Sequence, residues 1–108
     1  MIIIDPGAGP TPKTGEFIRL KQFIYLADMT LLKQERITYT FKRDKIITGL
    51  EYCLALCREG FRARIFIPSE LAYGKEIYPG IPPNSDIVID IDVSSITAEP
   101  VSIGKRDD

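Results

Sequence analysis

The chain contains no histidine and only two cysteines, so few of its side chains could form or break a covalent bond. Without an imidazole, a serine or cysteine nucleophile lacks its usual general base, and Ser-His-Asp and Cys-His chemistry are excluded. Cys53 and Cys57 stand four residues apart in a stretch that reads as helix, where they share a face. Helix geometry does not appose their Cβ atoms as a disulfide requires, and no histidine or further cysteine completes a tetrahedral metal site. They read as reduced core thiols, with a metal or redox pair as the functional alternative. Tyrosine is what remains chemically distinctive: Tyr73 in Leu71-Ala72-Tyr73-Gly74, and Tyr78 before Pro79-Gly80. A phenol offers a hydrogen-bond donor rather than a ready nucleophile. Both lie in a Gly/Pro-marked loop from Pro68 to Ser85, long enough to carry function.

The elements that must position this loop follow from periodicity. From Glu16 to Leu26 the even positions Ile18, Leu20, Gln22, Ile24 and Leu26 form one face, while Arg19 and Lys21 mix with Phe17, Phe23 and Tyr25 on the other. That is one strand of a half-buried sheet. Ala27-Asp28-Met29-Thr30 reads as a turn into Leu31 to Gln34, with a further strand around Ile37 to Phe41. A helix opens near Thr48, a candidate cap, carries Leu50, Cys53, Leu54 and Cys57 on one stripe, and stops at Gly60. Ala63, Ile65 and Ile67 alternate with Arg62, Arg64 and Phe66; Ile87, Ile89, Ile91 and Val93 alternate with Val88, Asp90 and Asp92. Arg62, Arg64, Asp90 and Asp92 then form a solvated outer face with weak cross-strand ion pairs.

The fold class is α+β, an antiparallel sheet closed over one short helix. Residues 1–97 form a single domain, and Ala98 to Asp108 read as a polar tail. The 108 residues can bury about two-thirds of their unfolded surface, enough for a core without staples. With 14 Lys and Arg against 15 Asp and Glu, there is no electrostatic footprint for nucleic acid or an anionic membrane. No apolar run approaches the roughly 20 residues that span a bilayer, and Met1-Ile2-Ile3-Ile4 is too short for a signal peptide. The chain reads as a soluble domain. An export signal or lipid anchor on a longer natural chain would leave no trace in it, so localisation is open.

Two blocks are specific. Gly60-Phe61-Arg62-Ala63-Arg64-Ile65-Phe66-Ile67-Pro68-Ser69-Glu70-Leu71-Ala72-Tyr73-Gly74 and Pro79-Gly80-Ile81-Pro82-Pro83-Asn84-Ser85-Asp86-Ile87-Val88-Ile89-Asp90-Ile91, preceded by Ile46-Ile47-Thr48-Gly49-Leu50, closely resemble the FKBP-type peptidyl-prolyl cis/trans isomerases. The resemblance covers Ile46 to Ile96. Upstream, Asp5 to Gly9 and Pro12 to Gly15 look like the family's opening, and Phe17 to Phe41 aligns by counting.

The resemblance implies a bent antiparallel sheet of about five strands wrapped around one short helix, with a dry apolar cleft that receives a proline. It implies isomerase (rotamase) activity on proline-containing peptides or unfolded chains with an apolar residue before the proline. Macrolides are a second ligand class, and no cofactor or metal is needed. Carried over residue by residue, Tyr73 supplies a phenolic donor and Ile47 a backbone N–H. Gln22, Leu32, Tyr39, Ile46, Leu50, Tyr78, Ile81 and Ile89 line the cleft. Ile46 and Ile47 would be core in any fold, so their roles rest on the resemblance alone; the alternative for Tyr73 is a packed aromatic tying down its loop, and for Tyr78 an aromatic that covers core.

Several positions depart from the family. Leu50 stands where it usually has tryptophan, Gln22 where it has tyrosine, and Leu32-Lys33 where it has a Phe-Asp pair. Placing Tyr25 rather than Gln22 in the pocket would shift the strand by an odd step and turn its aliphatic face outward. The departures leave three readings: an isomerase of reduced activity, a weakly catalytic peptide-binding or chaperone module, and a regulatory fragment of a larger protein.

Overall fold

A computed structural model describes residues 1–98. A long hairpin joins β2 (Phe17–Leu26) and β3 (Leu31–Thr40), in register from Phe17 opposite Thr40 to Ile24 opposite Lys33. The alternation read along β2 holds: Ile18, Leu20, Gln22 and Ile24 are buried. β3 is one continuous strand where two segments were expected. The polar run Lys33-Gln34-Glu35-Arg36 hides it from a hydrophobicity reading, but an edge strand with much of its surface in water tolerates such a run while its backbone pairs with β2 throughout.

The remaining strands are β1 (Ile2–Asp5), β4 (Arg62–Ile67) and β5 (Ile87–Thr97). All pair antiparallel, in the order β1-β4-β5-β2-β3. β1 was not foreseen. Its four residues are all exposed, so it carries no alternation, and only pairing with the edge of β4 makes it a strand. On the outer face Arg64 grips Asp90 with two 2.8 Å contacts, and Arg62 approaches Asp92 at 3.9 Å.

The helix α1 (Thr48–Leu54) lies against the inner face. Thr48 is its first residue rather than its cap; extended Ile47 holds the cap position, and no side chain caps the helix. Nor does the helix reach Gly60. After Leu54 the chain tightens, with Leu56 N–H donating to the Cys53 carbonyl at 3.0 Å and Cys57 N–H to the Leu54 carbonyl at 3.2 Å. That turn drives Cys57 and Phe61 into the core. Leu50, Leu54, Ile65, Ile67, Ile87, Ile89 and Ile91 share one hydrophobic cluster, as their alternation and stripe require. Cys53 and Cys57 are free and buried within it. The expected tail from Ala98 lies outside the described residues save for Ala98 itself.

Candidate functional site

The loop between β4 and β5 is pinned rather than loose. A 3-10 turn (Ser69–Leu71) follows β4, and Asp86 fastens it by accepting from the Ser69 N–H at 2.9 Å. Gly74 N–H donates to the Ser69 carbonyl at 2.8 Å, and the Gly74 carbonyl accepts from Asn84 N–H at 2.7 Å. Gly74 adopts φ of 58°, a left-handed value that a β-branched or bulky residue would resist, so the turn can close directly after Tyr73. Tyr78 and Ile81 form an isolated bridge further on, and the Tyr73 and Tyr78 rings lie 4.8 Å apart at 58°. The two tyrosines are thus packed together and held at the rim.

Beneath them opens a cleft of about 650 Å³. Gln22 and Ile24 from β2, Lys33, Glu35 and Ile37 from β3, the segment Lys45 to Thr48 with Leu50, Ala72, Tyr73, Glu76 and Tyr78 from the long loop, and Ile89 from β5 all line it. A smaller recess of about 350 Å³ adjoins it, lined by Leu32, Pro79, Gly80 and Ile81, with Ile24, Lys33, Tyr73 and Tyr78 shared between the two.

Of the predicted site residues, Gln22, Ile46, Ile47, Leu50, Tyr73, Tyr78 and Ile89 therefore meet in one cleft, and Leu32 and Ile81 in the recess beside it. Tyr39 does not join them. It is 2 % exposed, packed edge-on against Phe41, with its hydroxyl donating to Glu51 at 3.2 Å and accepting from Lys42 N–H at 3.3 Å. Tyr39 follows Lys33, Glu35 and Ile37 on the same face of β3, but further along the strand, where core has closed over that face. Ile37 takes the wall position instead.

The cleft is not uniformly apolar. Ile24, Ile37, Ile46, Ile47, Leu50 and Ile89 supply aliphatic surface, while Lys33, Lys45, Glu35 and Glu76 bring charge. Glu35 was missed by the sequence reading, although it lies two residues beyond Lys33 and so on the same strand face. Its carboxylate accepts from Gln22 Nε2 at 2.7 Å and pairs with Lys33 Nζ at 3.3 Å. An acidic group thus remains on this wall, one step from where the family's aspartate was expected.

Tyr73 and Ile47, the two expected donors, both line the cleft. Burial raises the pKa of the Tyr73 phenol, with Lys33 opposing, so the hydroxyl stays protonated at neutral pH. It donates to no group among the described residues. Ile47 uses its carbonyl to accept from Leu50 and Glu51, while its N–H donates to no protein group among the described residues. The cleft thus combines aliphatic surface with charged and hydroxyl-bearing side chains, and no cluster of metal ligands occurs among the described residues.

The five-stranded antiparallel sheet with one short helix is the fold of FKBP domains. Residues 9–94 match the profile of FKBP-type peptidyl-prolyl cis-trans isomerases, and the chain belongs to that family. It is 30 % identical over 109 aligned positions to the FKBP-type peptidyl-prolyl cis-trans isomerase FkpA of Escherichia coli K12, covering 95 % of this chain and 39 % of that protein. It is 35 % identical over 99 positions to FK506-binding protein 3 of Dictyostelium discoideum, covering 85 % of this chain and 51 % of that one. The crystal structure of E. coli FkpA superposes with a TM-score of 0.79 over 90 % of this chain and 47 % of that one, at 29 % identity. A wheat protein of three FKBP domains, FKBP73, superposes at 0.80 over 88 % of this chain and 44 % of that one, but at 23 % identity, and so speaks to the fold alone. The chain spans less than two-thirds of the length of these relatives.

Proposed function

We propose that this domain accelerates cis/trans isomerisation of X-Pro bonds in peptides or unfolded chains, at a lower rate than typical members of its family. The reaction turns one amide over a barrier of about 20 kcal/mol without breaking a covalent bond, so what a protein must supply is an environment. Aliphatic surface from Ile46, Ile47, Leu50 and Ile89 receives the proline ring and favours the less polar twisted amide. The Tyr73 hydroxyl and the Ile47 N–H hold substrate carbonyls in a turn.

One observation carries this reading: five stretches distant in sequence converge on a single cleft in which the Tyr73 hydroxyl donates to no group among the described residues. The rate expectation follows from Leu50, a small floor where the family usually has tryptophan. A second reading, a peptide- or macrolide-binding module with little turnover, is favoured by the charged β3 wall.

A proline-switched peptide assay separates the two. Measurable acceleration, at a kcat/KM below that of the E. coli relative, supports the first, and binding without acceleration supports the second. Tyr73→Phe should leave the fold intact and weaken binding of a proline peptide by about 0.5–1.5 kcal/mol, the worth of one neutral hydrogen bond. Unchanged affinity would remove Tyr73 from the site.

A further inference from the structure

The sheet has a second face, turned away from the helix and the cleft. Along β2 the buried Ile18, Leu20 and Gln22 point inward, which turns Arg19 and Lys21 outward; Arg36 and Thr38 alternate with Ile37 and the buried Tyr39 in the same way. Pairing sets Lys21 opposite Arg36 and Arg19 opposite Thr38. Like charges directly opposite on a sheet repel, yet no carboxylate among the described residues forms an ion pair with Arg19, Lys21 or Arg36. The two carboxylates that β5 presents on this face are engaged elsewhere. Arg64 grips Asp90, and Asp92, although it pairs with Lys21 across the strands, lies 3.9 Å from Arg62. In a sequence of net charge −1, positive charge is thus gathered on the outer face of the hairpin.

Two of these cations share a recess. Arg19, Leu20, Arg36, Ile37, Thr38 and Ser94 line a hollow of about 210 Å³, separate from the cleft. Ser94 spends its hydroxyl proton on the Arg19 carbonyl at 3.1 Å. The guanidinium groups of Arg19 and Arg36 and the Thr38 hydroxyl make no hydrogen bond among the described residues, which leaves a set of donors without an acceptor. A guanidinium fork matches the two oxygens of a carboxylate. Arg19 and Lys21, two residues apart on one strand, stand about 6.7 Å from each other along it, the spacing at which an extended peptide presents alternate side chains on one face. A nucleic-acid duplex fits less well: it carries a charge about every 1.7 Å, and Asp90 and Asp92 on the neighbouring strand would repel that continuous track.

We propose that the outer face of the β2–β3 hairpin is a docking surface for an acidic stretch of polypeptide in extended form. One Glu or Asp carboxylate sits in the recess between Arg19 and Arg36, and a second, two residues along, meets Lys21. The assignment does not rest on the isomerase reading, since these side chains lie on the opposite face of the sheet from the cleft.

A capped peptide with Glu at alternate positions and Ala between them is titrated into the 15N-labelled chain, beside the same peptide with Gln for Glu. The Glu peptide should bind with a dissociation constant on the order of 1 mM, as a few exposed ion pairs allow, and shift the signals of Arg19, Lys21, Arg36 and Thr38. The Gln peptide should not. Raising salt from about 50 to 200 mM should weaken binding severalfold. The double variant Arg19→Gln with Arg36→Gln should weaken it about three- to tenfold while its turnover of a proline peptide stays at the parent's level. Equal binding of Glu and Gln peptides, shifts confined to other residues, or undiminished affinity in the double variant overturns the proposal. Tighter binding of inorganic phosphate, a DNA oligonucleotide or phosphatidylserine vesicles at the same residues overturns the choice of an acidic polypeptide as the partner. If the double variant does not fold, Arg36→Gln alone, at an exposed position on the edge strand, provides the comparison.

Discussion

At the residue scale the cleft differs from the family pattern in ways that the geometry partly offsets. Lys33 stands where the family resemblance leads one to expect an aspartate, yet Glu35 brings a carboxylate to the same wall and is already engaged by Gln22 and Lys33. Replacing Lys33 by Asp would therefore remove the partner of Glu35 and set two carboxylates side by side, a poor way to restore the family's site. Leu50 is the cleaner target. It is buried where the helix meets the cleft, and the roughly 650 Å³ before it leaves space for a larger side chain. Leu50→Trp should add a flat platform worth about 1–2 kcal/mol of contact to a bound proline. The expected outcome is a rise in kcat/KM for proline peptides and tighter macrolide binding with the fold retained. If neither changes in a folded variant, the floor does not limit this cleft.

At the scale of elements, the helix is short, uncapped and held by its packing rather than by its own propensity. Gly49 shows how close that packing is. A Cβ built there would lie 2.5 Å from Ile67 Cγ2, and Ile67 is 2 % exposed and has little room to yield. Gly49→Ala would gain up to about 1 kcal/mol of helix propensity but overpack the interface with β4 at a cost of about 1–3 kcal/mol. The clash should win. Chemical denaturation should show a lower midpoint for Gly49→Ala, and because Ile47 and Leu50 flank the site, ligand affinity should fall with it. A stabilised variant would mean that helix and sheet have slack.

At the scale of the whole molecule, every strand pairing except the β2–β3 hairpin joins strands separated by long stretches of chain, and two thiols are sealed in the core. Burial raises Cys53 to about 11 and Cys57 to about 12, against an ordinary value of 9.0 that both recover on unfolding. Raised folded-state values mean that this contribution to stability is complete below about pH 9 and is lost as pH climbs toward 11 and 12. Thermal unfolding should thus be insensitive to these thiols near neutrality and fall steeply above pH 9, with a shallower slope in Cys57→Ala; equal slopes would mean that the thiol is not protected. Period-two and helical spacing were enough to read β2, β4, β5 and the helix stripe, because each buries one face and its side chains must alternate accordingly. The loop motifs were legible too, since left-handed turns restrict the residues that can make them. β1 and the unbroken β3 were not, because edge strands are held by backbone pairing that leaves little mark on composition. Nor was the site's boundary. Tyr39 and Ile37 share a strand face, and Lys33 and Glu35 likewise, so the sequence determined which side chains look inward. Only the tertiary packing decided where along that face core ends and cleft begins, and that Gln22 would turn one end of its amide to Glu35 and leave the other unmet.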